Sequence, residues 1–153
     1  MKINFTKKEY ATLVEMLLMA DWVLHAHETG PTKETIPYAE LRRKVLSHHK
    51  EMGMEDAFEY DPEEGEYYET KDYEDNAPHM EFIDAFTEQT FWDTLASKLA
   101  SRDFAALQAV GSGEPLSEEE RLVKMWEIEE HYQDEFEAHG LDNVRTKTTV
   151  EVH

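Results

Sequence analysis

The chain has 153 residues, no cysteine, and 35 Asp and Glu against 15 Lys and Arg, for a formal net charge of −20. A domain of this length buries roughly 70% of the surface its unfolded form exposes, so one core suffices without disulfide or metal, and the lack of thiols excludes cysteine nucleophiles and thiolate metal sites. The negative field repels DNA, RNA and anionic lipid and attracts cations and basic proteins, which argues against direct nucleic-acid binding.

The first residues, MKINFTKKEY, lack the apolar run and small-residue cleavage site of a signal peptide. The longest uncharged stretch, Phe104 to Gly113, falls far short of the roughly 18 to 20 apolar residues of a spanning helix. A soluble, cytoplasmic protein is expected.

Lys2 to Phe5 alternates polar and apolar residues and reads as a short strand. Thr6 with Glu9 three positions later forms a capping box, which opens a helix through Tyr10 to about His27 or Glu28, where Gly30 and Pro31 stop it. At about 100° per residue, Leu13, Val14, Leu17, Leu18, Leu24 and His25 share one face with Asp21 in its middle. Met16, Met19, Ala20 and Val23 cover much of the remainder, so this helix is expected to be the spine of the fold, wrapped on more than one side. An Asp on an apolar face needs a cation, and Arg102, on an otherwise apolar helical face, is the expected partner.

Pro37 suits the first turn of a second helix that runs to a Gly53 stop, with Tyr38, Leu41 and Val45 on one stripe. His48 and His49 are neighbours diverging by about 100° and read as surface or edge residues. The composition then shifts. Residues 1 to 53 carry seven acids and eight bases, whereas residues 54 to 76 carry eleven acids and one base. This acidic stretch holds Phe58, Tyr60, Tyr67, Tyr68 and Tyr73, with Pro62 and Gly65 as breakers, and predicts an ordered, largely irregular loop with a short hairpin and a strand at Glu66 to Thr70. It resists a calcium reading, because Gly65 stands one place early for a calcium loop starting at Asp61.

Behind Pro78, Met80 to Phe86 predicts a short helix and Thr90 to Val110 a longer one, with Phe91, Trp92, Leu95, Leu99, Ala106 and Arg102 on a common face and a bend or restart at Ser101 to Asp103. Ser117 with Glu120 is a second capping box, opening a helix to Gly140 whose stripe is Leu122, Met125, Trp126, Tyr132 and Phe136, with Glu129 inside it and carboxylates on the opposite side. Residues 143–153 alternate as a strand, which must pair with Lys2 to Phe5, with Glu66 to Thr70, or with another subunit as a dimer contact. The fold class is therefore mainly α: one domain over 1–153, a bundle of four to five helices around the N-terminal helix, with a small β element from the chain termini.

No phosphate loop, nucleophile elbow or HExxH occurs, and no cofactor is expected. Asp21, His25 and Glu28, spaced i, i+4 and i+7, are the residues a helical metal site or small metalloenzyme would use, though the Glu-x-x-His pair of carboxylate di-metal bundles is absent. His131, Glu135 and His139 repeat the i, i+4 spacing on a hydrated flank and read as surface residues or a weak metal site. The principal expectation is instead a non-enzymatic interaction protein. Asp61, Glu63, Glu64, Glu66, Tyr67, Tyr68, Asp72 and Tyr73, with the outer face of the last helix, would engage a basic protein, in the sharpest version as a nucleic-acid mimic or inhibitor.

Overall fold

The computed structural model describes residues 2–27, 30, 32–110 and 116–145. The protein is mainly helical, 66% helix, with five helices and one two-stranded sheet among the described residues. The order is α1 (Lys7–His25), α2 (Ile36–Leu46), β1 (Phe58–Asp61), β2 (Glu66–Glu69), α3 (Lys71–Asp75), α4 (Pro78–Val110) and α5 (Glu118–His139). None of the described helices is long and apolar enough to cross a membrane. Contacts between residues divide the chain into two units, Met1–Ala85 and Phe86–His153, with the division falling inside α4.

In the first unit α1 begins at the expected capping box: the Thr6 hydroxyl accepts from the Glu9 amide and the Glu9 carboxylate accepts from the Thr6 amide. The Thr6 amide and, less strongly, the Thr6 hydroxyl both donate to the Glu9 carboxylate and hold it below its ordinary range. Tyr10, Val14 and Leu18, one helical turn apart, enter the core with Leu46, Ala57 and Phe58, and Val45, Met52, Met54, Tyr67 and Tyr73 pack around them. Val14 and Leu46 are fully buried, and burial of side chains of that size contributes about 1.5 to 3 kcal/mol each. The Tyr10 hydroxyl donates to the Val45 carbonyl at 2.7 Å, tying α1 to the end of α2.

The hairpin follows. β1 and β2 are antiparallel in the register Phe58 to Glu69, Glu59 to Tyr68, Tyr60 to Tyr67 and Asp61 to Glu66. Its loop closes because the Asp61 carboxylate accepts from the Glu63 and Glu64 amides at 2.7 and 3.2 Å, and Gly65 takes φ 71°, a left-handed conformation that favours glycine. Thr70 caps α3 and donates its hydroxyl to the Asp56 carbonyl at 2.8 Å, closing the base of the hairpin.

In the second unit Ala96, Ala100 and Phe104 are the buried residues of α4 and Phe136 that of α5. Trp92 lies 5.4 Å from Phe136 between ring centroids, Tyr132 stacks on Phe136 at 5.8 Å, and Arg121 sits 5.9 Å over the Phe104 ring.

Several expectations are corrected. The small sheet is the mid-chain hairpin, not a pairing of chain termini: residues 2–5 form no strand, Asn143 lies in a turn, and the strand expected over 143–153 falls, from residue 146, outside the described residues. Met16 and Val23 are exposed, so α1 buries one face instead of being wrapped. α2 ends at Leu46, not near Met52, and residues 47–53 continue as turns to Gly53 at φ 80°. His49 is buried, its Nδ1 2.8 Å from the Leu46 carbonyl and its ring edge-on to Phe58 and Tyr67; the early end of α2 turns it inward. His48 is exposed as expected, facing Glu51. The two expected helices over 80–110 are one, and its buried face turns toward 96, 100 and 104, leaving Phe91 and Arg102 outside. The 101–103 segment has no breaker, so the off-stripe Phe104 moved the stripe and did not break the helix.

Candidate interaction surface

Two sets of charged residues in the first unit were expected to carry function, and the fold joins one member of each through a single side chain. Arg42 leaves α2 between α1 and β2. Its guanidinium donates to the Tyr67 carbonyl at 3.1 Å and lies 3.8 Å from the Asp21 carboxylate and 3.9 Å from that of Glu66. Asp21 also meets His25 Nδ1 at 3.1 Å, one helical turn away. The cation for Asp21 is thus Arg42, not Arg102, because α2 packs directly on α1. Arg102 is exposed and donates to Asp103 at 2.7 Å and to the Tyr132 hydroxyl at 3.2 Å. With the Tyr132 hydroxyl also donating to it, the Asp103 carboxyl is held below its usual range, chiefly by Arg102.

Of the helix 1 metal candidates, Asp21 and His25 are together and Glu28 lies outside the described residues. His131 and His139 are exposed on α5, while Glu135 accepts from the Asn143 side chain at 2.6 Å. Among the described residues no group of three or more His, Asp or Glu is arranged to hold a metal ion.

The expected binding residues divide in two. Glu66 faces the fold: it accepts from Arg43 Nε at 2.9 Å and from Arg43 Nη2, bonds that also raise the Arg43 pKa, the hydrogen bond first. Tyr67 turns inward against His49 and Tyr60, with ring centroids at 5.4 and 4.9 Å. Tyr73 packs at 5.4 Å from Phe58, and burial, followed by the charges of Glu15 and Glu69, pushes its phenol up to about 12. These three are parts of the structure.

Asp61, Glu63, Glu64, Tyr68 and Asp72 are the remaining members. Glu63, Glu64, Tyr68 and Asp72 are exposed, and Asp61 is partly covered at the turn it closes. Glu59 faces Tyr68 across the hairpin, and Glu59, Tyr60, Asp61, Pro62, Glu63 and Tyr68 line a shallow groove of ≈ 390 Å³ at the hairpin tip. Tyr60 and Tyr68 are about half exposed, and the Tyr68 hydroxyl donates to the Glu64 carboxylate, which raises the Tyr68 pKa. A tyrosine so placed presents a ring face with a carboxylate at its edge, the geometry that receives a guanidinium by stacking and by charge.

Sequence reasoning missed Glu59 and Tyr60 as surface residues and Arg42 as the central cation. The alternation of Phe58 against Glu59 was the available signal for Glu59, whereas Tyr60 shares the face of Phe58 and carried no such signal. For Arg42, the signal was a pair of adjacent arginines, 42 and 43, preceding a segment with eleven acids and one base.

The chain matches no protein-family model, no curated protein and no solved structure.

Proposed function

We propose that the protein acts by binding, presenting the tip of the β1–β2 hairpin to a basic surface of another protein. The observation that carries this reading is the sorting within the hairpin. Glu66, Tyr67 and Tyr73 are consumed by the fold, while Glu59, Asp61, Glu63 and Glu64 surround Tyr60 and Tyr68 around one groove without a basic side chain in its lining. Carboxylates spaced along a turn stand in for phosphates in charge, and tyrosine rings offer stacking planes to arginine. The sharpest form is a nucleic-acid mimic that occupies the binding groove of a DNA- or RNA-binding protein.

The test is a variant with Glu59→Gln, Asp61→Asn, Glu63→Gln and Glu64→Gln together, leaving Glu66 in place because Arg43 needs it. Asn at 61 keeps the oxygen that closes the turn. The variant folds normally, associates more slowly with the basic partner isolated from the native host, and shows a flatter salt dependence, because steering acts through charges that salt screens over about 8 to 10 Å. Tyr68→Ala shortens the lifetime of the complex, as interface aromatics commonly act as anchors. Unchanged affinity of the quadruple variant at low salt refutes the reading.

A further inference from the structure

The last helix carries a second feature, separate from the hairpin. Trp126 on α5 is 67% exposed, and Leu122 and Val123 beside it are about half exposed. At about 100° per residue these three fall within roughly 50° of their common centre, one continuous apolar island on the outer side of the helix. Exposed aromatic patches bounded by charge mark interaction sites more often than bare solvent contacts do.

The island has carboxylates at both ends. Glu119 lies on the same line two turns before Trp126 and Glu130 one turn after it, both exposed, and Glu127 flanks it. α5 holds nine acids and only two bases, Arg121 and Lys124, and both bases are engaged. Lys124 donates to Glu127 at 2.7 Å, and Arg121 lies over Phe104. On either side of the island is a concavity: one of ≈ 550 Å³ lined by Phe104, Leu116, Leu122 and Met125 with Glu118 and Arg121, the other of ≈ 440 Å³ lined by Leu116 and Val123 with Glu119, Glu120, Lys124 and Glu127. A ridge with a largely apolar recess on one flank, a mainly acidic one on the other and acids at its ends is complementary to a helix whose apolar anchors recur at i and i+3 or i+4 between lysines or arginines. Pairing with a second copy would set the Glu119 and Glu130 rows against their own kind, a like-charge juxtaposition that costs affinity.

We propose that the outer face of α5, centred on Leu122, Val123 and Trp126, docks a cationic amphipathic helix of a partner protein. The apolar anchors seat on Trp126 and in the largely apolar recess, and the flanking cations meet Glu119 and Glu130. This surface is distinct from the hairpin groove, and its test is arranged to separate the two.

The probe is a fluorescein-labelled, end-blocked peptide of about 18 residues made of leucine and lysine in a helical amphipathic pattern. A scrambled peptide of the same composition is the control. Anisotropy titrations at low and raised salt use the intact protein, its Trp126→Ser and Glu119→Gln/Glu130→Gln variants, and the hairpin quadruple variant. Circular dichroism verifies that each retains its helix content, as expected for exposed positions. The proposal expects Trp126→Ser to weaken the patterned peptide about tenfold or more, the double glutamine variant to weaken it and flatten its salt dependence, and the hairpin variant to leave it unchanged. Equal binding of the scrambled peptide, or unchanged binding by Trp126→Ser, overturns it. If the hairpin variant alone abolishes binding, the cationic helix belongs to the hairpin and the α5 site is wrong. A protein that sediments as a dimer, with Trp126→Ser a monomer and the peptide unbound, assigns the face to a second copy and likewise overturns the proposal.

Discussion

Replacing Arg42 with Met removes the charge that joins α1, α2 and β2 while keeping much of its aliphatic volume. The Arg42 side chain is 15% exposed, and its carboxylate neighbours Asp21 and Glu66 are 30% and 22% exposed. Stripping one partner from a fully buried pair costs about 3 to 5 kcal/mol, much of it from the charge left behind. Here that range is reduced, because both ion-pair distances are near 4 Å and both carboxylates keep another contact, Asp21 with His25 and Glu66 with Arg43. The lost hydrogen bond from a charged donor to the Tyr67 carbonyl contributes about 1.5 to 3 kcal/mol of its own. The expected cost is therefore about 2 to 3 kcal/mol, measured as a fall in the urea midpoint at constant slope. Arg43→Met is the internal control. Arg43 is 45% exposed and, among the described residues, lies within salt-bridge distance of Glu66 alone, so its loss falls in the surface class. If Arg43→Met matches or exceeds Arg42→Met, or if Arg42→Met leaves the midpoint unchanged, the assignment of Arg42 as the organising cation is wrong.

Three further outcomes follow from the geometry. Burial raises the phenols of Tyr10 and Tyr73 to about 12 in the folded state against about 10 unfolded, so the stability tied to their neutral forms is complete below pH 10 and falls as pH rises toward 12; Tyr73→Phe flattens that alkaline limb in thermal unfolding followed from pH 9 upward, and its cost at neutral pH is small because the hydroxyl is buried without a hydrogen-bond partner among the described residues. Phe104→Ala, at the buried end of the Ala96, Ala100 and Phe104 row, costs about 3 to 5 kcal/mol by calorimetry or denaturant, whereas Arg102→Met on the exposed side of the same helix leaves the midpoint nearly unchanged. Gly65→Ala places a Cβ at φ 71° and destabilises the hairpin by about 1 kcal/mol or more, seen as faster amide exchange in residues 58–69, and a neutral effect would contradict the left-handed turn.

The helices were legible where local chemistry alone decides them. The two capping boxes, Thr6 with Glu9 and Ser117 with Glu120, are reciprocal bonds between residues three apart, and each sits where the sequence placed it. The strand at 66–69 was legible for the same reason, since its turn is built from Asp61, Pro62 and Gly65 within a few residues. Its partner at 58–61 was harder to read, because Phe58 and Tyr60 share a face that is buried only at Phe58, which leaves the inward–outward pattern to Phe58 and Glu59 alone. Which face of α4 would be buried was not legible: Phe91, Trp92, Leu95 and Leu99 form as good a stripe on paper as the 96, 100 and 104 row, and only a tertiary partner chooses between them.

The candidate site shows the same division between local and distant causes. That Asp21 needed a cation follows from its position on an apolar face, and the need was met; which of several arginines supplies it depends on where α2 packs, and nothing within one turn of Asp21 encodes that. The acidic segment posed the reverse problem, since ten carboxylates and five aromatics in 56–76 look alike in composition. The two-residue period of β2 sorts them: Tyr67 turns in to His49, while Glu66 and Tyr68 share the other face, where Glu66 reaches Arg43 of α2 and Tyr68 bonds to the Glu64 carboxylate. A register shift of one residue would exchange Tyr67 with Tyr68 and take Glu66 away from Arg43. The packing of Tyr67 against His49 and the Arg42 bond to the Tyr67 carbonyl therefore fix which tyrosine the hairpin presents, so that α2, distant from the groove in sequence, sets the chemistry of its face.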